Sequence, residues 1–279
     1  MIPKTIHYIW YSNESKKSLP YVFEKIIEQN CKNNESMDYK LWTNFGDQNE
    51  EDEKLEKNIE ESFPNLINII RKTKFEVQKA DIKRLAILYF YGGTYIDTDI
   101  SILQPIEKLI NMNEENFIYA AMEPDEQTMK IVNKKNLLCN AFICSPAKHP
   151  ILKRALEIVE NVYEDCGDSV FNIFNCFGAD ILTKAFIEDT NKSYKLIKRN
   201  LIYPITDPKF DDLDRSQNDI KKLKSGMYPN AFMVHYWMHS NFESKQLIKT
   251  FKWDDNKSLN ENIVEFFKQL YKTNKYLKD

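Results

Sequence analysis

The stretch "ADIKRLAILYFYGGTYIDTDI", residues 80–100, constrains this chain more than any other. It closes the longest strongly patterned segment, 74–93, which is apolar at helical spacing and stops at Gly92-Gly93. A glycine in the left-handed conformation is the usual helix stop, and a second glycine lets the chain turn tightly. The next residues, "TYIDTDISIL", read as a strand, yet they carry Asp97 and Asp99. Alternate residues of a strand share a face, so Tyr95, Asp97 and Asp99 would point one way, with Cβ atoms repeating every ~6.6 Å. Two carboxylates that close raise each other's pKa unless a cation stands before them. Oxygen ligands suit a divalent ion such as Mn²⁺ or Mg²⁺, commonly completed by substrate phosphates. The alternative is a strand end with two solvated aspartates, and Asp-x-Asp alone is too short to decide.

A second polar pair stands on the preceding helix. Asp81 and Arg84 lie three residues apart and share a face of an otherwise apolar run. An ion pair at a helix surface is the ordinary account. The glycine turn, however, folds this helix back toward the carboxylate strand, where both sets can meet in one pocket.

Strands are also expected over 4–11, 39–43, 116–123, 136–145, 200–205 and 231–237. Helices are expected over 19–33, 47–63, 150–163, 169–189 with a break near Gly178, and 258–278. Alternation of strand and helix from the first residues predicts an α/β sheet binding its ligand at strand C-terminal ends. The acidic-lysine run at 47–63 reads as a solvated helix. The closing helix is amphipathic, with Ile263, Phe266, Phe267, Leu270, Tyr271 and Leu277 against Lys268, Lys272, Lys275 and Lys278. Its apolar face is expected to pack on the core, with an interfacial helix on anionic lipid as the alternative.

Length and charge narrow the function class. A chain of 279 residues without a low-complexity linker is read as one domain, 1–279. A net charge of -3 gives no field for gripping nucleic acid. No apolar run reaches the length of a bilayer span, and the five cysteines show no CxxC spacing. A cytoplasmic setting is therefore expected, with peripheral contact at the inner face of the membrane left open.

The segments "IPKTIHYIW", "ADIKRLAILYFYGGTYIDTDI" and the late "HYWMHS", in that order, resemble the DXD-containing sugar transferases of glycosyltransferase family 32. The signature is also similar to the glucosyltransferase domain of the large clostridial toxins. The resemblance implies a GT-A fold, a Rossmann-like mixed central sheet flanked by helices. It further implies a nucleotide-sugar donor, usually Mn²⁺, and transfer with retention of anomeric configuration. Carried over, Ile9 and Trp10 would hold the nucleotide base at the end of the first strand. Asp81 and Arg84 would orient the donor sugar and its phosphate, and Tyr95 would line the donor pocket. Asp97 would touch ribose and metal, and Asp99 would bind the metal directly. Where relatives read His-x-x-x-x-Ser-Trp, this chain has His235 to Ser240 and then Asn241. His235 then matches the late metal ligand, with His239 a competitor, and Ser240 matches the serine of a closing loop. Asn241 replaces the tryptophan, a place Trp237 could take. Asn140 could bond a donor hydroxyl or satisfy backbone, and Asp180 could face donor or acceptor.

The expected reaction moves a hexose from a UDP-sugar, UDP-glucose or UDP-galactose first, to a saccharide or lipid-linked oligosaccharide, as in capsule or surface polysaccharide synthesis. A toxin-like protein glycosyltransferase is the alternative within the class. Outside it stand a haloacid-dehalogenase-type phosphatase, whose DxDx[TV] motif resembles "DTDIS", and a non-catalytic carbohydrate-binding module.

Overall fold

β-Branched and aromatic residues run together at the start and form β1, Thr5–Trp10. Helix α1, Tyr21–Asn33, buries Val22, Phe23 and Ile26 at helical spacing. It returns the chain to β2, Asp38–Thr43, which pairs parallel with β1. The structure is a computed structural model and describes residues 1–12, 18–46, 49–166, 177–207, 221–226, 228–238 and 245–273.

Helices α2 (Asn49–Ser62), α3 (Pro64–Lys72) and α4 (Glu76–Tyr91) come after it. The charged helix α2 is not merely solvated as expected. Leu55, Ile59 and Asp52 are buried, and Asp52 pairs with Lys83 of α4 at 2.7 Å. The acid is inside because a buried ammonium meets it there, an arrangement that composition does not reveal.

Helix α4 stops at Gly92, with φ +66° and ψ -165°. That conformation is open to glycine but is not the left-handed helical one expected. Gly93 has φ +99°, and a Cβ there would lie 2.6 Å from the Thr5 carbonyl oxygen. His7 braces the turn: its Nε2 lies 2.9 Å from the Gly92 oxygen. Trp42 Nε1 donates to His7 Nδ1 at 3.2 Å, so Nε2 is the nitrogen left to donate.

The expected strand through both aspartates is two strands. β3, Gly93–Ile96, ends before Asp97, and the chain then turns, with Ile100 N–H donating to the Asp97 carbonyl at 3.1 Å. β4, Ile100–Ile102, leaves the main sheet. A shared pleat therefore does not align the carboxylates; the turn does.

β5 (Ile118–Met122), α5 (Asp125–Val132), β6 (Leu138–Ser145) and α6 (Pro150–Cys166) come next. α7 begins at Ala179, just after Gly178, and runs to Glu188. β7 (Tyr194–Ile197) takes the sheet edge. The strand expected at 200–205 is instead a helical turn, α8, Arg199–Ile202; short apolar runs do not separate the two by pattern. β8 is Met233–His235, α9 is Lys245–Thr250 and α10 is Leu259–Thr273.

The main sheet has the order β2-β1-β3-β6-β5-β7, and β4 and β8 form a separate pair. β1 is parallel to β2 and β3, and β5 to β7, while β6 runs antiparallel to both its neighbours. This is the mixed, Rossmann-like sheet expected. Apolar layers cover both faces, with α2, α3, α4, α6 and α7 on one side and α1, β4, β8 and α10 on the other. Ile263, Phe266 and Phe267 of α10 are buried in the second layer, so the described part of that apolar face packs on the core; Leu277, Lys275 and Lys278 lie outside the described residues. No described helix is long and apolar enough to cross a membrane. Cys31, Cys139 and Cys144 are free thiols.

Candidate active site

One cleft opens where β1, β3 and β5 end and β6 begins. Ile9, Trp10, Asp81, Arg84, Tyr95, Asp97, Asp99, Asn140 and His235 all line it. Because β6 is antiparallel, its early residue Asn140 reaches the same edge as the last residues of its neighbours.

Arg84 organises the near wall. Its Nη2 lies 2.8 Å from Asp81 Oδ1, and its Nη1 donates to Asp97 Oδ1 at 3.0 Å and to the Asn140 carbonyl at 2.8 Å. The guanidinium also lies 4.5 Å from the centre of the Tyr95 ring, whose hydroxyl donates to Asp97 Oδ1 at 2.7 Å. Asn140 Nδ2 donates to Asp81 Oδ1 at 2.9 Å, so its side chain serves this network. Burial pushes Asp81 up to about 6 against the pull of Arg84. Desolvation works against the charge on Arg84, and Asp97, Tyr95 and Asp81 outweigh it. The sidedness of Asp97 matters: Arg84 and Tyr95 both take Oδ1, which leaves Oδ2 for the cleft.

Asp99 faces the other way. Met238 N–H donates to its Oδ2 at 2.8 Å, and His235 Nε2 lies 3.1 Å from its Oδ1. β4 pairs Ile100 with His235, so strand register carries the late histidine to the early motif. Trp237 stacks on His235 with ring centres 3.9 Å apart and has φ +54°, a left-handed backbone rare for a bulky residue. That bend accompanies a double grip on Asp99, since Tyr236 N–H donates to the Asp99 carbonyl at 3.0 Å while Met238 N–H holds the carboxylate.

Asp97, Asp99 and His235 each offer one ligand atom, all within 4.8 Å of one another. A small divalent ion with bonds of ~2.1 Å spans atoms up to ~4.2 Å apart, so a slight inward shift lets all three meet one ion. Two carboxylates and an imidazole fit Mn²⁺ as well as Mg²⁺.

Other expected residues are placed differently. Trp10 packs on Phe23 at 5.2 Å and donates Nε1–H to the Ser18 carbonyl, holding its ring at the mouth. Asp180 does not line the cleft; it pairs with Lys134 at 2.8 Å and Lys184 at 3.0 Å, while Gly178 and Ala179 beside it do line it. Ser240, His239 and Asn241 lie outside the described residues.

Residues that the sequence did not flag complete the far wall: Glu123, Gln127, Cys139 and Asp207. Glu123 stands just past β5, and burial pushes its carboxyl up to about 7, opposed by nearby His235 and a Cys139 hydrogen bond. A carboxylate directly after an apolar strand was the available signal, and it is a weak one.

Residues 20–117 match the family model described as "Glycosyltransferase sugar-binding region containing DXD motif". The chain is 26% identical over 155 residues to inositol phosphoceramide mannosyltransferase 1 of Schizosaccharomyces pombe, covering 56% of this chain and 42% of that protein. It is 27% identical over 196 residues to an uncharacterized glycosyltransferase of Acanthamoeba polyphaga mimivirus, covering 69% and 68%. Among solved structures, the PaToxG glycosyltransferase is similar at 15% identity with a TM-score of 0.48, over 99% of this chain and 88% of that one. Asp97-Thr98-Asp99 lies inside the matched region.

Proposed function

We propose that this protein is a metal-dependent, retaining glycosyltransferase that moves a hexose from a nucleotide diphosphate sugar to a saccharide or lipid-linked acceptor hydroxyl. The observation that carries this reading is the convergence of Asp97, Asp99 and His235 in a cleft whose near wall is Arg84. A bound divalent ion would supply charge neutralisation for the departing diphosphate, worth several kcal/mol by order of magnitude. Arg84 adds a fixed positive charge at the same place, held rigid by Asp81 and Asp97. Trp10 presents its ring for the base at the mouth of the cleft, and Asp81, behind Arg84, keeps the guanidinium oriented.

In the reaction the acceptor oxygen bonds to the anomeric carbon as the bond from that carbon to the diphosphate oxygen breaks. The acceptor proton passes to the departing phosphate, and nucleoside diphosphate leaves. Same-face attack of this kind retains configuration and requires no dedicated protein base.

UDP-glucose and UDP-galactose are the expected donors. The Schizosaccharomyces pombe relative is named a mannosyltransferase, which adds a mannosyl nucleotide to the set. Surface polysaccharide synthesis in the cytoplasm is the setting we favour. Screening UDP- and GDP-sugars with Mn²⁺ for donor hydrolysis, and then NMR of the product's anomeric centre, tests the reading. An α-linked product from an α-linked donor supports it. A β-linked product overturns retention, and release of inorganic phosphate in place of nucleotide overturns the transferase in favour of a phosphatase.

A further inference from the structure

Among the described residues the near wall of the cleft carries Arg84, and no lysine or arginine lines the far wall. Asp97 is the first residue past β3 and Glu123 the first past β5, and β6 lies between those strands. The two carboxyls therefore stand on opposite sides of β6 at one edge of the sheet, Asp97 level with Ala141 and Glu123 with Leu137. Glu123 feels the charges of His235 and Asp97, so it looks onto the same space as the Asp97, Asp99 and His235 triad.

Glu123 is 6% exposed and Asp207 1%, and both line the cleft. Among the described residues no lysine or arginine forms an ion pair with Glu123; its side chain bonds the Cys139 thiol. A buried carboxyl without a cation is unfavourable. What a pair of carboxyls can take at that position is a neutral ligand rich in hydroxyl donors. Backbone holds the pair in place: Glu123 N–H donates to the Leu137 carbonyl at 2.8 Å, and Asp207 N–H donates to Gln127 Oε1 at 3.2 Å.

We propose that Glu123, with Asp207 beside it, forms the hexose subsite of the cleft and accepts hydrogen bonds from sugar hydroxyls. The assignment rests on the glycosyltransferase reading above and adds to it the residues that touch the sugar and not the nucleotide. The hydroxyls could belong to the donor hexose or to the acceptor, and the two are separable by experiment.

The test compares wild type with Glu123→Gln and Glu123→Ala by calorimetry in Mn²⁺. The probes are UDP against UDP-glucose and UDP-galactose, and GDP against GDP-mannose. Saturation-transfer NMR with methyl α-hexosides in the presence of nucleotide and Mn²⁺ reads the acceptor side. Glu123→Ala is expected to keep nucleoside diphosphate affinity while losing about ten- to a hundredfold in sugar-nucleotide affinity or in methyl hexoside binding. Loss in the first assay assigns the donor sugar, and loss in the second the acceptor. Glu123→Gln, which keeps an acceptor oxygen and the shape, should recover part of the loss and remains informative if the alanine variant does not fold. A folded variant with unchanged sugar-nucleotide and hexoside binding overturns the proposal. So does one that loses nucleoside diphosphate and sugar nucleotide equally, since that is a structural role. Wild-type protein that binds no nucleotide of either series refutes the functional reading, and the subsite falls with it.

Discussion

Arg84 lies over the ring of Tyr95, 4.5 Å from its centre, and both side chains donate to the same oxygen of Asp97. Two donors on Oδ1 fix the rotamer of the aspartate and turn its other oxygen outward. Removing Arg84 would leave Asp81 and Asp97 as uncompensated neighbours in a buried wall. Arg84→Ala is expected to destabilise the fold by about 3 kcal/mol, the scale for breaking a buried pair, and to lower Tm by roughly 6–12 °C. Arg84→Lys should recover little, since one ammonium cannot reach the acceptors that the planar fork serves. Thermal melts of the two variants check this, and a lysine variant melting with wild type would refute it.

Asp99→Asn is nearly isosteric and keeps an oxygen for the Met238 amide, so the fold should hold. The charge is what it loses. Mn²⁺-dependent donor binding should disappear and turnover fall on the order of 10³-fold, from several kcal/mol of charge stabilisation. Full turnover by Asp99→Asn, or wild-type activity indifferent to chelator, excludes the metal role.

The site was legible in part because Asp81, Arg84, Tyr95 and Asp97 sit in one stretch whose helix, turn and strand each have a pattern. Their geometry was not. A continuous strand would place Asp97 and Asp99 on one pleat, whereas the strand ends at Ile96 and a turn separates the two carboxylates. Glu123 and Asp207 are single acids in unpatterned surroundings, and their placement depends on strand order, a tertiary fact. Asp180 pairs with Lys184 four residues on, at the spacing of an ordinary helix pair. Of the fold, long periodic segments such as α4 and α6 were plain. The Arg199–Ile202 turn was not, because its apolar residues fit strand and helix equally.

Gly93→Ala puts a Cβ 2.6 Å from the Thr5 carbonyl oxygen at a φ of +99°. Backbone cannot yield cheaply there, because β1 is paired with β3 at that point. Destabilisation of about 2–4 kcal/mol is expected, within the range for strain at a special φ/ψ. Chemical denaturation provides the measurement, and a variant as stable as wild type would contradict the role given to the turn.

His7 is neutral in the fold, with burial lowering it from 6.5 to about 4. An unfolded chain protonates this ring first, so its contribution is fully present above pH ~6.5 and is lost as pH falls toward 4, about 3 kcal/mol in all. The raised carboxyls of Asp81 and Glu123 act in the opposite sense, contributing stability at low pH that is lost as pH rises. The informative quantity is therefore a difference. Between pH 6.5 and 4 the stability advantage of wild type over His7→Gln should shrink by about 3 kcal/mol. Parallel pH profiles for the two proteins would show that His7 titrates normally.

The pairing of β4 with β8 joins Asp99 to Met238 across 139 residues of chain. Loop closure over such a distance is among the last events to be rewarded as a chain folds. While the chain emerges N-terminal first, the sheet order β2-β1-β3 can assemble from residues already made, but the His235 arm of the triad does not yet exist. The topology thus acts as a completion check: the three candidate ligand atoms come together once the chain has reached β8 and β8 has paired with β4, and a chain short of β8 carries the motif without the full donor set.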